Sequence, residues 1–425
     1  MEQGKDALAG HKKRIVIIGG GIIGGMTAYF LEKQGWSVTI IEKDRFGCGA
    51  SHGNCGLIVP NYTVPLNTPE NLITGIRWMV KKDAPLFIRF RTEAAWIRWM
   101  IQFIRHCFSN HLQVAVDGRA ALMADALSLY ETLIQSEKID CDWDMAGTCH
   151  LFRSKRELAA YGPKTDRIQD PRSSMTCLTE SRLRDWLPMV SAAVVGGWHD
   201  RQAAHFRPDT FMREWAGVLK RKGVDIVEQA EFIGFDKQYG RAVTARTDRS
   251  EFAADAFVVA TGAWTPLLSH ALGCRVPIQP GKGYSVTARF SGSVPALPLF
   301  FEETRVVLTP WVDRLRLGGT MEFSGYDDTV NRRRVNALFK ATDQYLSIPM
   351  PDEIEEEWCG WRPITWDGVP IIDHLPGLDN VVLAAGHNEL GLTMGPPTGR
   401  LVAEMLTDKK LSVDTSFFQL NRLVP

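Results

Sequence analysis

The sequence lacks the cysteine spacing of a disulfide-rich or zinc-binding protein. Its eight cysteines include no C-x-x-C pair and are spread thinly along the chain, whereas disulfide scaffolds and structural zinc sites use dense, regular spacings. Histidines and cysteines also never fall at ligand spacing, so no metal site is expected. We therefore expect reduced thiols in a reducing compartment.

A net charge is also absent, because 49 lysines and arginines balance 49 aspartates and glutamates. Nucleic-acid-binding proteins usually carry a basic excess or a basic stripe, so no nucleic-acid partner is expected. No uninterrupted apolar run reaches 18 residues, so no transmembrane helix is predicted. Lys12, Lys13 and Arg14 precede an apolar run, but its glycines and the lack of a cleavage site argue against a secretory signal. We expect a cytoplasmic protein, with peripheral contact at the inner face of the cell membrane as an alternative.

What the sequence does contain is a strand–glycine turn–helix–strand unit near its beginning. Ile15–Ile18 is a short apolar run typical of a buried parallel strand. Apolar positions recur at helical spacing from Ile22 to Gln34, Gly35 ends the helix, and Ser37–Ile41 predicts a second strand. Such a βαβ unit predicts an α/β fold.

The rest of the chain predicts two interleaved domains. The dinucleotide-type domain is expected to comprise residues 14–63, 201–275 and 355–425, and a mixed α+β domain with an antiparallel sheet to comprise 64–200 and 276–354. Further elements are predicted as helices at Ala94–Phe108, Ala120–Glu137, 208–222 and Pro396–Leu406, and as strands at 224–227, 256–260, 284–290, 305–308 and 381–385.

The turn after the first strand has the pattern G-x-G-x-x-G. The first glycine allows the tight turn, the second lets a pyrophosphate approach the backbone, and the third lets helix and strand pack closely. Glu42 closes the second strand 18 residues after Gly24, where a carboxylate accepts hydrogen bonds from an adenosine ribose. A dinucleotide is therefore expected to contact Gly19, Gly21, Ile22, Ile23, Gly24, Glu42 and Lys43.

Four later segments distinguish a flavin cofactor from a nicotinamide cofactor. They are RFGCGASHGNCGL at 45–57, AFVVATGAW at 256–264, GWRPITWDGVPIID at 360–373 and AAGHNELGLTMG at 384–395. In this order they resemble the D-amino-acid oxidase superfamily of FAD-dependent enzymes. PIQPGKGYSVT at 277–287 makes the resemblance greatest to the small-subunit family of bacterial D-amino-acid dehydrogenases.

The resemblance implies a Rossmann-type FAD-binding domain with noncovalent FAD. A covalent histidyl flavin at His52 is not expected, because the register of His52 against the following glycine differs from that in relatives with such a bond. The resemblance also implies that the helix after the last segment faces the flavin, where its positive end stabilises the reduced anion. The implied flavin contacts are Ser51, Asn54, Gly56, Leu57, Thr261, Gly262, Trp264, Gly386, His387, Gly391, Leu392, Thr393 and Met394.

Arg362 is the main candidate for a catalytic-site residue, because a planar guanidinium binds a carboxylate in bidentate geometry. Matching arginines in similar enzymes hold the substrate carboxylate, which places the Cα hydrogen at flavin N5. Tyr284 either hydrogen-bonds the substrate carboxylate or packs in the core. His52 is a third candidate, as a residue that tunes the flavin or touches substrate. Hydride transfer requires no protein acid or base, which is consistent with the absence of a catalytic triad.

The resemblance implies an FAD-dependent enzyme that oxidises the Cα–N bond of a small or cyclic D-amino acid, of the D-proline, hydroxyproline or D-alanine type, to an imine. Electrons would then pass to a quinone or another electron-transfer acceptor. Two alternatives remain open: a glycine- or sarcosine-type oxidase that forms hydrogen peroxide, and a non-catalytic flavin-binding subunit of a hetero-oligomer. A homo-oligomer is equally compatible with the sequence.

The segment Ala94–Phe108 permits two interpretations. Arg98, Gln102 and Arg105 form a narrow polar stripe on an otherwise apolar helix that contains Trp96 and Trp99. Such a helix is either buried or lies at a membrane interface. Burial is the preferred interpretation.

Overall fold

The structure is a computed structural model that describes residues 12–79, 84–108, 111–166, 175–290, 292, 294–349 and 351–423; at 163–166 it describes the backbone only. In chain order, the strands of these residues are β1 (Arg14–Ile18), β2 (Ser37–Ile41), β3 (Leu57–Ile58), β4 (Leu86–Ile88), β5 (Thr148–Phe152), β6 (Thr176–Thr179), β7 (Gly196–Asp200), β8 (Ala204–His205), β9 (Asp225–Val227), β10 (Phe232–Gln238), β11 (Arg241–Thr247), β12 (Glu251–Ala253), β13 (Ala256–Val259), β14 (Ile278–Arg289), β15 (Leu299–Phe301), β16 (Val306–Pro310), β17 (Arg314–Phe323), β18 (Glu353–Thr365), β19 (Ile371–Leu375) and β20 (Leu378–Ala385).

The α-helices of the same residues are α1 (Ile22–Lys33), α2 (Pro69–Met79), α3 (Ala94–Cys107), α4 (His111–Met123), α5 (Ala126–Glu137), α6 (Lys155–Asp166), α7 (Glu180–Trp186), α8 (Pro208–Arg221), α9 (Ser269–Leu272), α10 (Arg332–Tyr345) and α11 (Gly391–Leu406). Short 3₁₀ helices occupy Gly262–Leu268, Thr415–Phe418 and Leu420–Leu423. None of the described helices combines the length and the apolar character needed to cross a membrane.

The glycine turn lies at the edge of a six-stranded sheet with the order β19-β20-β13-β1-β2-β9. All neighbours in this sheet are parallel except β19 and β20. The strands β1 and β13 are almost entirely buried, as expected for parallel strands covered on both faces. The predicted α/β class is therefore confirmed, with β1, α1 and β2 where the sequence pattern placed them.

A second, nine-stranded sheet has the order β18-β14-β17-β16-β15-β5-β7-β6, with β4 added beside β17. Most of its neighbours are antiparallel, as predicted, but β5 pairs parallel with β15 and β4 pairs parallel with β17. The long strand β18, residues 353–365, belongs to this sheet. The division into two domains at the boundaries given above stays a prediction.

Two helices differ from their predicted bounds. The helical pattern of Ala120–Glu137 is split between α4 and α5, with a break at residues 124–125. The last helix begins at Gly391 instead of Pro396. Proline is favoured at the first helical position, which is why the pattern placed the start there. Here Pro396 and Pro397 lie in the second turn.

Only one face of the helix α3 is buried. Trp96 and Trp99 are buried and stack with a centroid separation of 5.8 Å. On the opposite face Ile97 is 46% exposed and Ile101 is 50% exposed, and Ile104 and Phe108 are exposed as well. Burial, the preferred interpretation, therefore describes the tryptophan face and not the face of Ile97 and Ile101.

Candidate active site

A cavity of about 1540 Å³ lies between the carboxyl edge of the six-stranded sheet and the nine-stranded sheet. Its walls come from the glycine turn after β1, the ends of β2 and β13, the segment 43–55, parts of β16 to β18 and the start of α11. Ligands of open α/β sheets bind outside the carboxyl ends of the strands, so this is where a dinucleotide is expected.

Close backbone contacts in the glycine turn require the absence of side chains. Gly19 has a φ of +110°, and an ideal Cβ there would lie 2.5 Å from the carbonyl oxygen of Ala260. A Cβ at Gly24 would lie 2.0 Å from the carbonyl oxygen of Gly19. The glycines therefore let β1, β13 and α1 approach closely. Gly24 lies behind the cavity wall, whereas Gly19, Gly21, Ile22 and Ile23 line the cavity.

The N-terminus of α1 faces the cavity with little capping. Its N-cap residue, Gly21, makes no side-chain cap hydrogen bond. The hydroxyl of Ser51 accepts a hydrogen bond from the backbone N–H of Ile22 at 3.0 Å. Free N–H groups and the helix dipole at such an end suit a pyrophosphate.

Glu42 is held at the end of β2 by two backbone donors. Its Oε2 accepts from Gly20 N–H at 2.7 Å and its Oε1 accepts from Asp44 N–H at 3.0 Å. Burial raises the pKa of Glu42, against a lowering effect of these two hydrogen bonds. Each carboxylate oxygen has a further lone pair, and the side chain lines the cavity. Glu42 can therefore accept hydrogen bonds from the hydroxyl groups of a ribose.

Lys43 and Trp264 lie together on the cavity wall. The Lys43 Nζ is 4.4 Å from the Trp264 ring centroid, a cation–π distance. Trp264 meets Trp361 edge to face, with centroids 5.5 Å apart. Thr261 and Gly262 precede Trp264 and also line the cavity.

The turn of residues 51–57 is anchored by an arginine that the sequence did not reveal. Arg316 is 1% exposed and donates to the carbonyl oxygens of His52, at 2.6 Å, and Asn54, at 2.8 Å. Asn54 Oδ1 accepts from the backbone N–H of Gly56, whose φ is +78°. Arg316 lies on β17, more than 250 residues away in sequence, so no local pattern links it to this turn.

The predicted residues of this turn differ in their access to the cavity. Ser51, Asn54 and Leu57 line the cavity, whereas Gly56 lies behind it against Phe206. His52 is not among the lining residues either. Its Nε2 lies 2.7 Å from Oε1 of Glu356, so the structure does not bring the His52 imidazole together with the other candidate residues.

The first turn of α11 also faces the cavity. Gly391 and Leu392 line it, as does His387, whose Nε2 lies 3.1 Å from Thr398 Oγ1. Burial lowers the pKa of His387 to about 3, so its imidazole is neutral at neutral pH. The remaining predicted residues of this region, Gly386, Thr393 and Met394, lie behind the lining.

A tyrosine compensates for the prolines of α11. Pro396 has no N–H to donate to the carbonyl of Leu392, four residues earlier. The Tyr130 hydroxyl donates to that carbonyl oxygen instead, at 2.7 Å. Thr393 similarly ties the helix to β3, because its Oγ1 donates to the carbonyl oxygen of Leu57 at 3.3 Å. These contacts fix the start of α11 against the cavity.

Arg362 lies on the cavity wall contributed by β18. Its NH1 donates to the carbonyl oxygen of Thr320 at 3.1 Å. Among the described residues, no carboxylate forms an ion pair with it. Burial lowers its pKa, but a guanidinium stays protonated in proteins. Gly283 makes room for it, because a Cβ there would lie 2.1 Å from Arg362 NH1.

Tyr284 is buried and touches the cavity, but its hydroxyl already has a partner. The hydroxyl donates to Oε2 of Glu322 at 3.0 Å. Burial is the main cause that raises its pKa, followed by the charge of Glu322. This phenol therefore carries a proton at neutral pH and is oriented by Glu322.

Polar residues of the nine-stranded sheet line the same cavity and were missed from the sequence. They include His150 on β5 and Glu302, which directly follows β15, with the His150 Nδ1 and the Glu302 Oε1 2.7 Å apart. The two residues lie 152 positions apart in sequence. Only the parallel pairing of β5 with β15 brings them together, so no spacing rule could have found them.

Comparison with known proteins gives a consistent result. The family model described as FAD dependent oxidoreductase matches residues 14–405. The chain is 29% identical over 416 residues to a D-amino acid dehydrogenase of Granulibacter bethesdensis, covering 94% of this chain and 97% of that protein. It is 29% identical over 419 residues to a D-amino acid dehydrogenase of Rhodopseudomonas palustris, covering 96% and 97%. The crystal structure of glycine oxidase from Geobacillus kaustophilus matches with a TM-score of 0.76 at 23% identity, covering 97% and 100%.

The residues present fit an FAD molecule. The N-terminus of α1 suits the pyrophosphate, Glu42 suits the ribose, and the first turn of α11 offers backbone N–H groups at the opposite part of the cavity. The cavity is also large enough for a cofactor and a substrate together. With the family match over most of its length, the chain belongs to the FAD-dependent oxidoreductases, and FAD is its cofactor.

Proposed function

We propose that the chain oxidises the Cα–N bond of a small or cyclic D-amino acid, of the D-proline, hydroxyproline or D-alanine type, to an imine. A quinone or another electron-transfer acceptor then takes the electrons. One observation carries the proposal: the Arg362 guanidinium has no carboxylate partner among the described residues and faces the cavity that fits FAD. A substrate carboxylate would supply that partner. The D-amino acid dehydrogenases among its relatives support the choice of substrate.

When bound, the flavin supplies an acceptor for the hydride from Cα. Arg362 binds the α-carboxylate and so orients the Cα hydrogen. Tyr284 donates to Glu322, so we propose no hydrogen bond from its hydroxyl to substrate. Trp264 and Trp361 close part of the wall and exclude water. We propose no catalytic step for His52, because its imidazole is bonded to Glu356.

The test is anaerobic bleaching of the purified yellow protein by a panel of D-amino acids, cyclic imino acids and N-methyl glycines. Bleaching by a D-amino acid or its cyclic relative supports the proposal. Bleaching only by glycine or sarcosine, with peroxide formed in air, would identify an oxidase of that type instead. A yellow protein that no compound bleaches would indicate a non-catalytic flavin subunit.

The Arg362→Ala variant tests the carboxylate-binding role directly. We expect it to keep FAD, since Arg362 is not among the proposed cofactor contacts, and to lose at least about 100-fold in kcat/KM, because a charge-assisted bidentate interaction is removed. Flavin absorbance and steady-state kinetics with a dye acceptor measure the two quantities. Unchanged kinetics would remove Arg362 from the site.

We also propose peripheral contact between α2, α3 and a membrane surface. Large apolar side chains on these two helices are exposed, among them Ile76 at 59% and Ile101 at 50%. Arg77, Arg98 and Arg105 are exposed on the same helices and complement anionic lipid headgroups. Ile76 and Ile104 also line the cavity, so a lipid-soluble quinone would enter the cavity from this surface.

Vesicle co-sedimentation tests the membrane contact. We expect the purified protein to sediment with vesicles of phosphatidylglycerol and phosphatidylcholine. Ile101→Glu should lower the affinity for these vesicles about tenfold, because it places a charge in the apolar face. Ile233→Glu is the matched control, since Ile233 is 54% exposed on β10, outside this face. Equal binding of both variants would contradict the contact.

A further inference from the structure

The cavity wall formed by β5 and β15 carries a polar cluster that the proposed oxidation does not use. We define it as Tyr62, His150, Tyr161, Glu302 and Arg305, all of which line the cavity. Glu302 is at its centre, with Oε1 2.7 Å from His150 Nδ1 and Oε2 3.0 Å from Arg305 NH1. The Tyr161 hydroxyl lies 3.0 Å from the same His150 nitrogen. Glu302 and His150 are 9% and 2% exposed, so the cluster is built into the wall.

The cluster lies close to the proposed carboxylate site. Arg362 donates to the carbonyl oxygen of Thr320 on β17. The preceding residue, Gly319, pairs with Val306 on β16, directly after Arg305. An ideal Cβ at Gly319 would lie 2.7 Å from the Arg305 carbonyl oxygen. The Arg362 side chain thus crosses β14, which lies between β18 and β17. Because neighbouring strands are about 4.8 Å apart, its guanidinium against β17 lies about one strand spacing from β16, which directly follows the turn that carries Arg305.

Tyr62 contributes a hydrogen-bonding group without a partner. Its ring stacks on Phe300 at 6.3 Å between centroids, and Phe300 stacks on His150 at 4.3 Å. The Tyr62 hydroxyl makes no hydrogen bond with any described residue. Burial raises its pKa to about 12, and Arg305 and Glu302 are among the charges that act on it. The hydroxyl therefore stays protonated and is available as a donor beside these two side chains.

The charge balance of the cluster selects a neutral polar ligand. Arg305 is paired with Glu302, so a ligand carboxylate would meet the charge of Glu302 and a ligand ammonium would meet that of Arg305. A hydroxyl both donates and accepts, so it can donate a hydrogen bond to the Glu302 carboxylate and accept one from Tyr62 or Arg305. An alkyl group in this position would leave the Tyr62 hydroxyl without a partner, which is unfavourable.

We infer that the polar cluster is a subsite for a hydroxyl group on the substrate side chain. The preferred substrates are then hydroxylated D-amino acids, such as the serine or hydroxyproline type, over their unhydroxylated counterparts. This inference rests on the proposed function, because Arg362 must hold the α-carboxylate for the side chain to reach the cluster.

The experiment compares matched substrate pairs on the FAD-loaded enzyme with a dye acceptor: D-serine with D-alanine, and the 4-hydroxy-D-prolines with D-proline. We expect kcat/KM to be higher for the hydroxylated member of at least one pair, by on the order of 10-fold to 100-fold. The hydroxylated substrate gains a buried hydrogen bond, whereas its counterpart leaves a buried polar group without a partner. Tyr62→Phe keeps the ring stack and should lower this ratio about tenfold. Tyr239→Phe, the same change at a fully exposed tyrosine, should keep the wild-type ratio.

Four results would count against the inference, and they separate a wrong subsite from a wrong proposed function. If D-amino acids reduce the flavin but both members of each pair react equally, the subsite assignment is wrong and the proposed function stands. A wild-type ratio that survives in Tyr62→Phe, or a preference for D-aspartate or D-glutamate, overturns the hydroxyl assignment in the same way. If no D-amino acid reduces the flavin, the proposed function itself is wrong.

Discussion

Gly283 shows how a single missing side chain decides the position of a functional group. A Cβ at this position would lie 2.1 Å from Arg362 NH1, so we expect Gly283→Ala to displace the guanidinium. The expected result is a rise in substrate KM and a fall in kcat/KM of about tenfold or more, because misplacement by about 1 Å is enough to cost this much. Steady-state kinetics on the flavin-loaded variant measure the effect.

Gly217→Ala is the matched control for this variant. Gly217 lies in α8, where an added Cβ would meet the Arg221 NH1 at an ordinary 3.4 Å. Wild-type kinetics are expected there. If Gly283→Ala also had the wild-type KM, the position of Arg362 would not depend on Gly283.

At the residue scale, sequence pattern predicted contacts that are local and missed those that cross between strands. Gly19 in the turn and Gly24 in the first turn of α1 are five residues apart, and their spacing alone indicated their packing roles. Arg362 was predicted from a segment that resembles a known family, and it lies in the cavity. Arg316 and Glu302 could not be predicted, because tertiary contacts and not sequence spacing bring them to the turn and to His150.

At the scale of the element, α11 depends on a hydrogen bond from outside the helix. Tyr130→Phe would leave the buried carbonyl oxygen of Leu392 without its donor. We expect the free energy of unfolding to fall by about 1–3 kcal/mol, the cost of a buried unsatisfied polar group. Urea unfolding followed by tryptophan fluorescence measures it. Tyr239→Phe at an exposed position should unfold at the wild-type urea concentration, and the same midpoint for both variants would contradict this role of Tyr130.

Sequence patterns predict the ends of helices only where local chemistry sets them. Periodicity predicted α1 to within one residue, since Gly35 follows the C-cap residue Gln34 and its φ of +87° ends the helix. The start of α11 was misplaced by the rule that proline begins helices, because a tyrosine more than 250 residues earlier compensates for the missing N–H. The exposed face of α3 was not foreseen, because an apolar helix pattern does not reveal whether other elements cover it.

At the scale of the whole molecule, His387 should make the stability depend on pH. Its folded-state pKa is about 3, below the value of about 6.5 for an unfolded chain. Below pH 6.5 the unfolded state therefore binds a proton that the native state does not, so this contribution to stability is present above pH 6.5 and is lost as the pH falls. Between pH 7 and pH 5 the loss is about 2 kcal/mol.

The measurement is urea unfolding of the wild type and His387→Gln at pH 7 and pH 5. The wild type should lose about 2 kcal/mol more than the variant over this interval. His374→Gln is the control, because His374 is exposed on β19 and its substitution should leave the wild-type pH response. Equal losses in the wild type and His387→Gln would show that His387 does not control acid sensitivity.

The strand order of the six-stranded sheet also has a consequence for biosynthesis. β1 pairs with β13, and β13 pairs with β20, which begins more than 100 residues after β13 ends and leaves the ribosome correspondingly later. Until then the nascent chain presents β13 as an open edge, which is prone to pair with other chains. We therefore expect a chain that terminates before residue 378 to keep β13 as an open edge and to aggregate instead of forming a smaller flavoprotein.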